Sequence, residues 1–125
     1  MTTAGEGRGF VVDGHEVLIG RSARENEELT LRVADRRDVW LHAAGYAGSH
    51  VIIRRPEGGG DVPRHVIERA AELAAWHSKA RDARGKVAVH VCPAGHVRKR
   101  RGAPPGQVQI RDYETVRVYP RGPVP

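Results

Sequence analysis

Val39-Trp40-Leu41-His42-Ala43 and Ser49-His50-Val51-Ile52-Ile53-Arg54, joined by Ala44-Gly45-Tyr46-Ala47-Gly48, form the stretch on which the fold turns. Both arms are short and rich in β-branched and aromatic residues, and a loop with two glycines parts them. That is the pattern of strands. Trp40 and His42 have the same parity, so in a strand they point to one face.

Working outward, Phe10-Val11-Val12, Asp13-Gly14 and His15 to Ile19 read as a hairpin. Asp-Gly supplies two residues that tolerate positive φ in a type I′ turn. Ser22 and Glu25 have capping-box spacing, in which each side chain satisfies the other's backbone donor at a helix start. A short helix is expected from about Ala23 to Leu31. Downstream, Arg55 to Gly60 is a loop signal, and Pro63 suits a first helical turn. Val66, Ala70, Leu73 and His77 recur at helical spacing, widened by Ile67, Ala71 and Ala74, and predict the main helix to about Ala80. Lys86 to Cys92 alternates as a half-buried strand should. Pro93 to Pro105 reads as a loop, and Val108–Ile110 with Thr115–Tyr119 as a second hairpin. The class is α+β: a single domain with a mostly antiparallel sheet, one main helix and one short helix. The domain is expected over residues 10–120, between a flexible N-terminus (1–9) and a tail (121–125).

A chain of 125 residues, 39% hydrophobic and 29% charged, fits one soluble globular domain. No apolar run approaches the ~18 residues of a membrane span. No secretory leader is visible in MTTAGEGRG. A lone cysteine, Cys92, cannot form an internal disulfide and suits a reducing compartment. A cytoplasmic protein without membrane contact is expected. Charge is uneven: residues 1–78 carry 10 basic and 12 acidic side chains, whereas residues 79–125 carry 11 and 3. Such asymmetry predicts an electropositive face for a polyanion, nucleic acid first.

The basic loop Arg98-Lys99-Arg100-Arg101 is the first candidate for phosphate contact, Arg taking two phosphate oxygens at once and Lys acting as a point charge. Lys79 and Arg81 close the main helix, where they serve either its dipole or a ligand. Arg21, Arg24 and Asn26 surround the short helix's start, which suits phosphate or carboxylate groups. Trp40, His42 and His50 can stack on unpaired bases, although Trp40 also reads as core. Asp38 either orients an imidazole or caps the strand. With Ser49, the two histidines make an RNA-processing or RNA-modifying enzyme the alternative reading. No nucleophile elbow, P-loop or dinucleotide fingerprint is present, so no cofactor is expected. The seven histidines show no metal-ligand spacing, and Cys92 reads as a buried structural thiol.

Several blocks together resemble a known family. They are Gly20 to Thr30, Asp38-Val39-Trp40-Leu41-His42, Gly48-Ser49-His50-Val51-Ile52-Ile53, and Ala70-Ala71 to Ser78-Lys79-Ala80-Arg81. Val97-Arg98-Lys99, Gly102-Ala103-Pro104-Pro105-Gly106 and Thr115-Val116-Arg117-Val118 complete the set. In this order they are similar to the NFACT-R domain, the RNA-binding part of NFACT proteins, over about residues 10–120. The resemblance implies binding of tRNA or ribosomal RNA, a link to translation and ribosome-associated quality control, and the ribosome as a partner. It also leaves open a docking module for the ribosome surface. The glycosylase-like, helix-hairpin-helix and coiled-coil parts of NFACT proteins do not fit within 125 residues, so a stand-alone version of the domain is expected.

Overall fold

The computed structural model describes residues 8–123. The stretch up to residue 7, expected to be flexible, and the last two residues of the tail lie outside it. The first hairpin forms as its turn demands. β1 (Arg8–Val12) and β2 (His15–Ile19) are joined by Asp13 and Gly14, both at positive φ (48° and 81°). That pair of dihedrals matches the right-handed twist of the flanking strands.

The next strands are β3 (Val39–Ala43), β4 (Val51–Ile53), β5 (Val87–Pro93), β6 (Val97–Arg98), β7 (Gln109–Ile110) and β8 (Glu114–Val118). Six of the eight build one fully antiparallel sheet in the order β1-β2-β4-β3-β5-β8. The α+β class and the mostly antiparallel sheet stand as expected.

Strand alternation sorts side chains to two faces. Val17, Ile19, Leu41, Ala43, Val51, Ile53, Val87, Val89, Val91, Val116 and Val118 share one core with α2 (Arg64–Trp76), which supplies Val66, Ala70, Leu73 and Ala74. The small alanines let the helix lie close to the sheet. On the opposite face, Leu18, Ile52, Trp40 and Cys92 form a row across four strands. The pairs Leu18–Ile52, Ile52–Trp40 and Trp40–Cys92 stand in direct register. Leu29, Ala94 and Val97 cover this row. β4 lies between both layers, so all three of its residues are apolar and buried.

Four expectations change. Ser22 caps α1 (Ala23–Glu28) by accepting from the Glu25 amide at 3.1 Å, but Glu25 does not reciprocate. Its carboxylate takes the Arg21 amide and guanidinium instead. Beyond Glu28 the chain widens into a π-helical turn, Leu29–Val33, closed by the Ala34 amide on the Leu29 carbonyl. The main helix stops at Trp76, not near Ala80. There the Ser49 amide captures the His77 carbonyl and the Lys79 amide reaches the Ala47 carbonyl, at 2.9 and 2.8 Å. A bridge to the 44–50 loop thus replaces the next helical turn.

The expected second hairpin does not form. β7 pairs with β6 in a separate two-stranded ribbon, and β8 pairs with β5. Ile110 and Val108 belong to the second core and Val116 and Val118 to the first, so the chain must change layers between them. Asp112, at φ 45°, stands where it does so. The span from Pro93 to Pro105 accordingly holds the end of β5, a 3₁₀ turn (Ala94–His96) and β6.

Candidate nucleic-acid interface

The face of the sheet away from α2 is apolar at one end and polar at the other. Past Trp40 and Cys92 the same parity continues to His42 and His90, which stand opposite each other on β3 and β5. Trp40 is core: it is 2% exposed, and its indole N–H finds no partner among the described residues. His42 lies over it, ring centroids 5.8 Å apart and nearly parallel, and His50 meets both rings edge-on at 5.3 Å. His90 in turn packs against Tyr113 at 4.4 Å.

Asn26 fixes this cluster. Buried on α1, it donates from Nδ2 to the Gly48 carbonyl (3.2 Å) and accepts the His50 amide on Oδ1 (3.0 Å). A side chain at Gly20 would meet Oδ1 at 2.0 Å, and one at Gly48 would meet the Ser78 Cβ at 2.6 Å. Both glycines therefore permit close approaches that hold α1, the 44–50 loop and the end of α2 together. The π-helical turn brings Thr30 inward, where its hydroxyl pairs with His50 Nδ1 at 2.8 Å. Burial, and then His42 beside it, lower the His50 pKa to about 3, against the pull of the Gly106 backbone. Burial also lowers His42 and His90, with His90 adding to the effect on His42. Near neutral pH the floor is uncharged.

Around this floor opens a cleft of about 1030 Å³. Arg21, Lys79 and Arg81 are its cations, and no Asp or Glu lines it. Arg21 is held by Glu25. Arg81 lies over the Trp76 ring, 4.1 Å from its centroid. Lys79 has no carboxylate partner among the described residues. Because α2 ends at Trp76, Lys79 and Arg81 lie beyond it and do not serve its last turn. The wall opposite is the loop Pro105-Gly106-Gln107. Glu27 pins that loop, taking the Gly106 amide at 3.2 Å and Lys99 at 3.0 Å. The lysine and the amide hold the Glu27 pKa below the usual carboxylate range, Lys99 contributing most.

Eight expected residues meet at this cleft: Arg21, Asn26, Trp40, His42, Ser49, His50, Lys79 and Arg81. Six do not line it. Asp38 is a cap and not an imidazole partner. Buried at the far end of β3, it accepts the Asp35 and Arg55 amides and pairs with Arg54 at 3.1 Å. Arg24 is exposed on α1, and Arg100 and Arg101 are exposed in a turn. Arg98 borders a separate depression with His96, Gln109 and Arg111. Lys99 spends its charge on Glu27. Among the described residues, no three His, Cys, Asp or Glu side chains could hold a metal ion, and no helix is long and apolar enough to cross a membrane.

Sequence reasoning passed over Tyr46, Trp76, His90, Gln107 and Tyr113, all of which line the cleft. For His90 a signal existed: the alternation of Val87-Ala88-Val89-His90-Val91-Cys92 sets it on the face opposite the valines. Tyr113 gave none, because its place depends on the change of layers at Asp112.

Known proteins are similar to this chain in sequence and in fold. A family model described as the NFACT protein RNA binding domain matches residues 10–112. The chain is 43% identical over 107 residues to the Rqc2 homolog RqcH of Bacillus subtilis, covering 86% of this chain and 18% of that protein. With the Rqc2 homolog RqcH of Streptococcus suis it shares 38% over 114 residues, or 90% and 20% of the two. It thus spans about a fifth of the length of these relatives. The solved C-terminal of the fibronectin/fibrinogen-binding protein from Streptococcus suis superposes with a TM-score of 0.83 at 37% identity, over 92% of this chain and 46% of that one. On sequence and on fold alike, the chain belongs to the NFACT protein RNA-binding domain family.

Proposed function

We propose that the domain binds structured RNA of the transfer or ribosomal class, carrying the phosphodiester backbone across the cleft rim at Arg21, Lys79 and Arg81. Arg24, Arg98, Arg100 and Arg101 supply an outlying positive field that adds affinity without positioning the RNA, while Lys99, paired with Glu27, braces the cleft wall. The observation that carries this reading is a cleft of about 1030 Å³ with three cations and no carboxylate on its lining. Family membership supports RNA as the polyanion. A cytoplasmic role in translation or ribosome-associated quality control, with the ribosome as a partner, follows from the same resemblance.

The enzyme reading has weaker support. His50, at a pKa of about 3, is neutral near pH 7 and far from the proton affinity that general acid–base work needs. No carboxylate in the cleft stands ready to orient His42.

The test is titration of the purified domain with tRNA and with ribosomal RNA fragments at several salt concentrations. Binding should fall linearly on a log–log salt plot. Arg21, Lys79 and Arg81 changed together to Ala should weaken it by about tenfold or more and flatten the slope by about one per cation. The set Arg98, Arg100 and Arg101 to Ala should cost less. Affinity indifferent to salt would sink the reading. A ribosome-associated partner that survives RNase treatment would favour a protein-docking role.

A further inference from the structure

We infer that the cleft takes an unpaired nucleotide, its base lying against the His42, His90 and Tyr113 rings and its phosphate reaching Lys79 and Arg81. This rests on the RNA reading above and narrows it from polyanion to single-stranded or looped RNA.

Aromatic content carries the inference. The chain has five Trp and Tyr residues, and Trp40, Trp76, Tyr46 and Tyr113 all border this one cleft. Trp40 is core, but Tyr46 and Tyr113 are each 47% exposed. A surface that serves phosphates alone has no use for exposed rings, whereas every base offers a π-face to stack on. The rings are not equivalent. Trp40 lies under His42, and Arg81 lies over Trp76, with Gly122 backed against the same indole. Trp76 therefore aims Arg81 and leaves the stacking to others. His90 and Tyr113, 4.4 Å apart with Tyr113 half exposed, form with His42 the open platform. A neutral His90 imidazole carries one donor and one acceptor for a base edge. Ser49 and Gln107 add hydrogen-bonding groups on either side. The concavity is also of the size that encloses a small ligand, and an A-form duplex offers side chains mainly a broad, shallow groove.

The test compares a labelled single-stranded RNA heptamer with a blunt duplex of the same sequence, by fluorescence anisotropy at one salt concentration. Charge alone favours the duplex, whose phosphates are denser. The inference expects the single strand to bind more tightly. An abasic site scanned along the heptamer should weaken binding by about five- to 150-fold at one position, the range of one base stack. Tyr113→Ala and His90→Ala should lower single-strand affinity without changing the salt slope, since neither removes a charge near pH 7. Tyr113 is exposed, so an unchanged thermal unfolding curve for Tyr113→Ala separates lost stacking from lost fold. Equal or stronger binding of the duplex overturns the inference but leaves RNA binding intact. Binding of neither RNA overturns both.

Discussion

The two faces of the sheet are built on different terms. The face under α2 is a single apolar core in which valines and alanines interlock, and its chemistry is uniform from edge to edge. The other face starts as core at Leu18, Ile52 and Trp40 and turns polar within one strand pair, at His42, His50 and His90. The first face can be stabilised by volume alone. The second needs particular atoms in particular places, because a buried polar group without a partner costs far more than a made hydrogen bond returns. The same face also bears the cleft, so fold and binding depend on the same contacts there.

That contrast can be broken. On the uniform face, Leu41→Ala should destabilise the domain by about 2–5 kcal/mol, the cost of a buried leucine and the cavity it leaves. RNA affinity of the folded fraction should not change, as denaturant unfolding and titration would show. On the other face, Asn26→Ala strands the His50 amide and the Gly48 carbonyl. It should destabilise by about 1–3 kcal/mol and also weaken RNA binding, because the 44–50 loop loses its strut. Stability lost with affinity unchanged would separate the two roles assigned to that face.

Acid should loosen only the polar face. His50 binds its proton near pH 3 when folded and near 6.5 when unfolded, so the unfolded chain takes up more protons between those values. Stability from this group is whole above pH 6.5 and falls as pH drops, by up to about 1.4 kcal/mol per pH unit. His50→Gln should reduce that slope, with His42 and His90, and at the acid end Glu25 and Glu27, contributing the remainder. A stability curve equally steep in the variant would remove His50 as its origin. The smallest effect is expected from Glu27→Ala. Unfolding should barely move, while amide exchange at Gly106 and Gln107 rises as the loop is released.

How much of this could be read from the chain follows the same division. The Asp13–Gly14 turn and the stripe of α2 are local signals, and they were legible. The end of α2 was not, because its stop comes from Gly48 and Ser49, nearly thirty residues upstream. β7 and β8 carry the same alternation in sequence yet serve different layers, a choice made by tertiary packing. Asp38 misled through nearness: two positions before Trp40, it sits at the end of β3 away from the histidines. The arginine run at 98–101 was conspicuous, yet its link to the cleft is indirect, through the pairing of Lys99 with Glu27, which holds the loop that walls the cleft. Arg21 comes from one block and Lys79 and Arg81 from another nearly sixty residues on, and only folding places them on one rim.

Cys92 gives the less regular face a chemical timer. Its sulfur is buried beside Trp40 in the register, and burial pushes its pKa up to about 11. A maleimide or disulfide reagent therefore meets almost no thiolate while the native layer is shut. With no second cysteine in the chain, the rate at which label appears counts openings of that layer alone. Openings of the α2 layer that leave the Trp40 row intact go unrecorded. Comparing labelling with and without bound RNA would then measure how far occupancy of the cleft holds the layer beneath it closed.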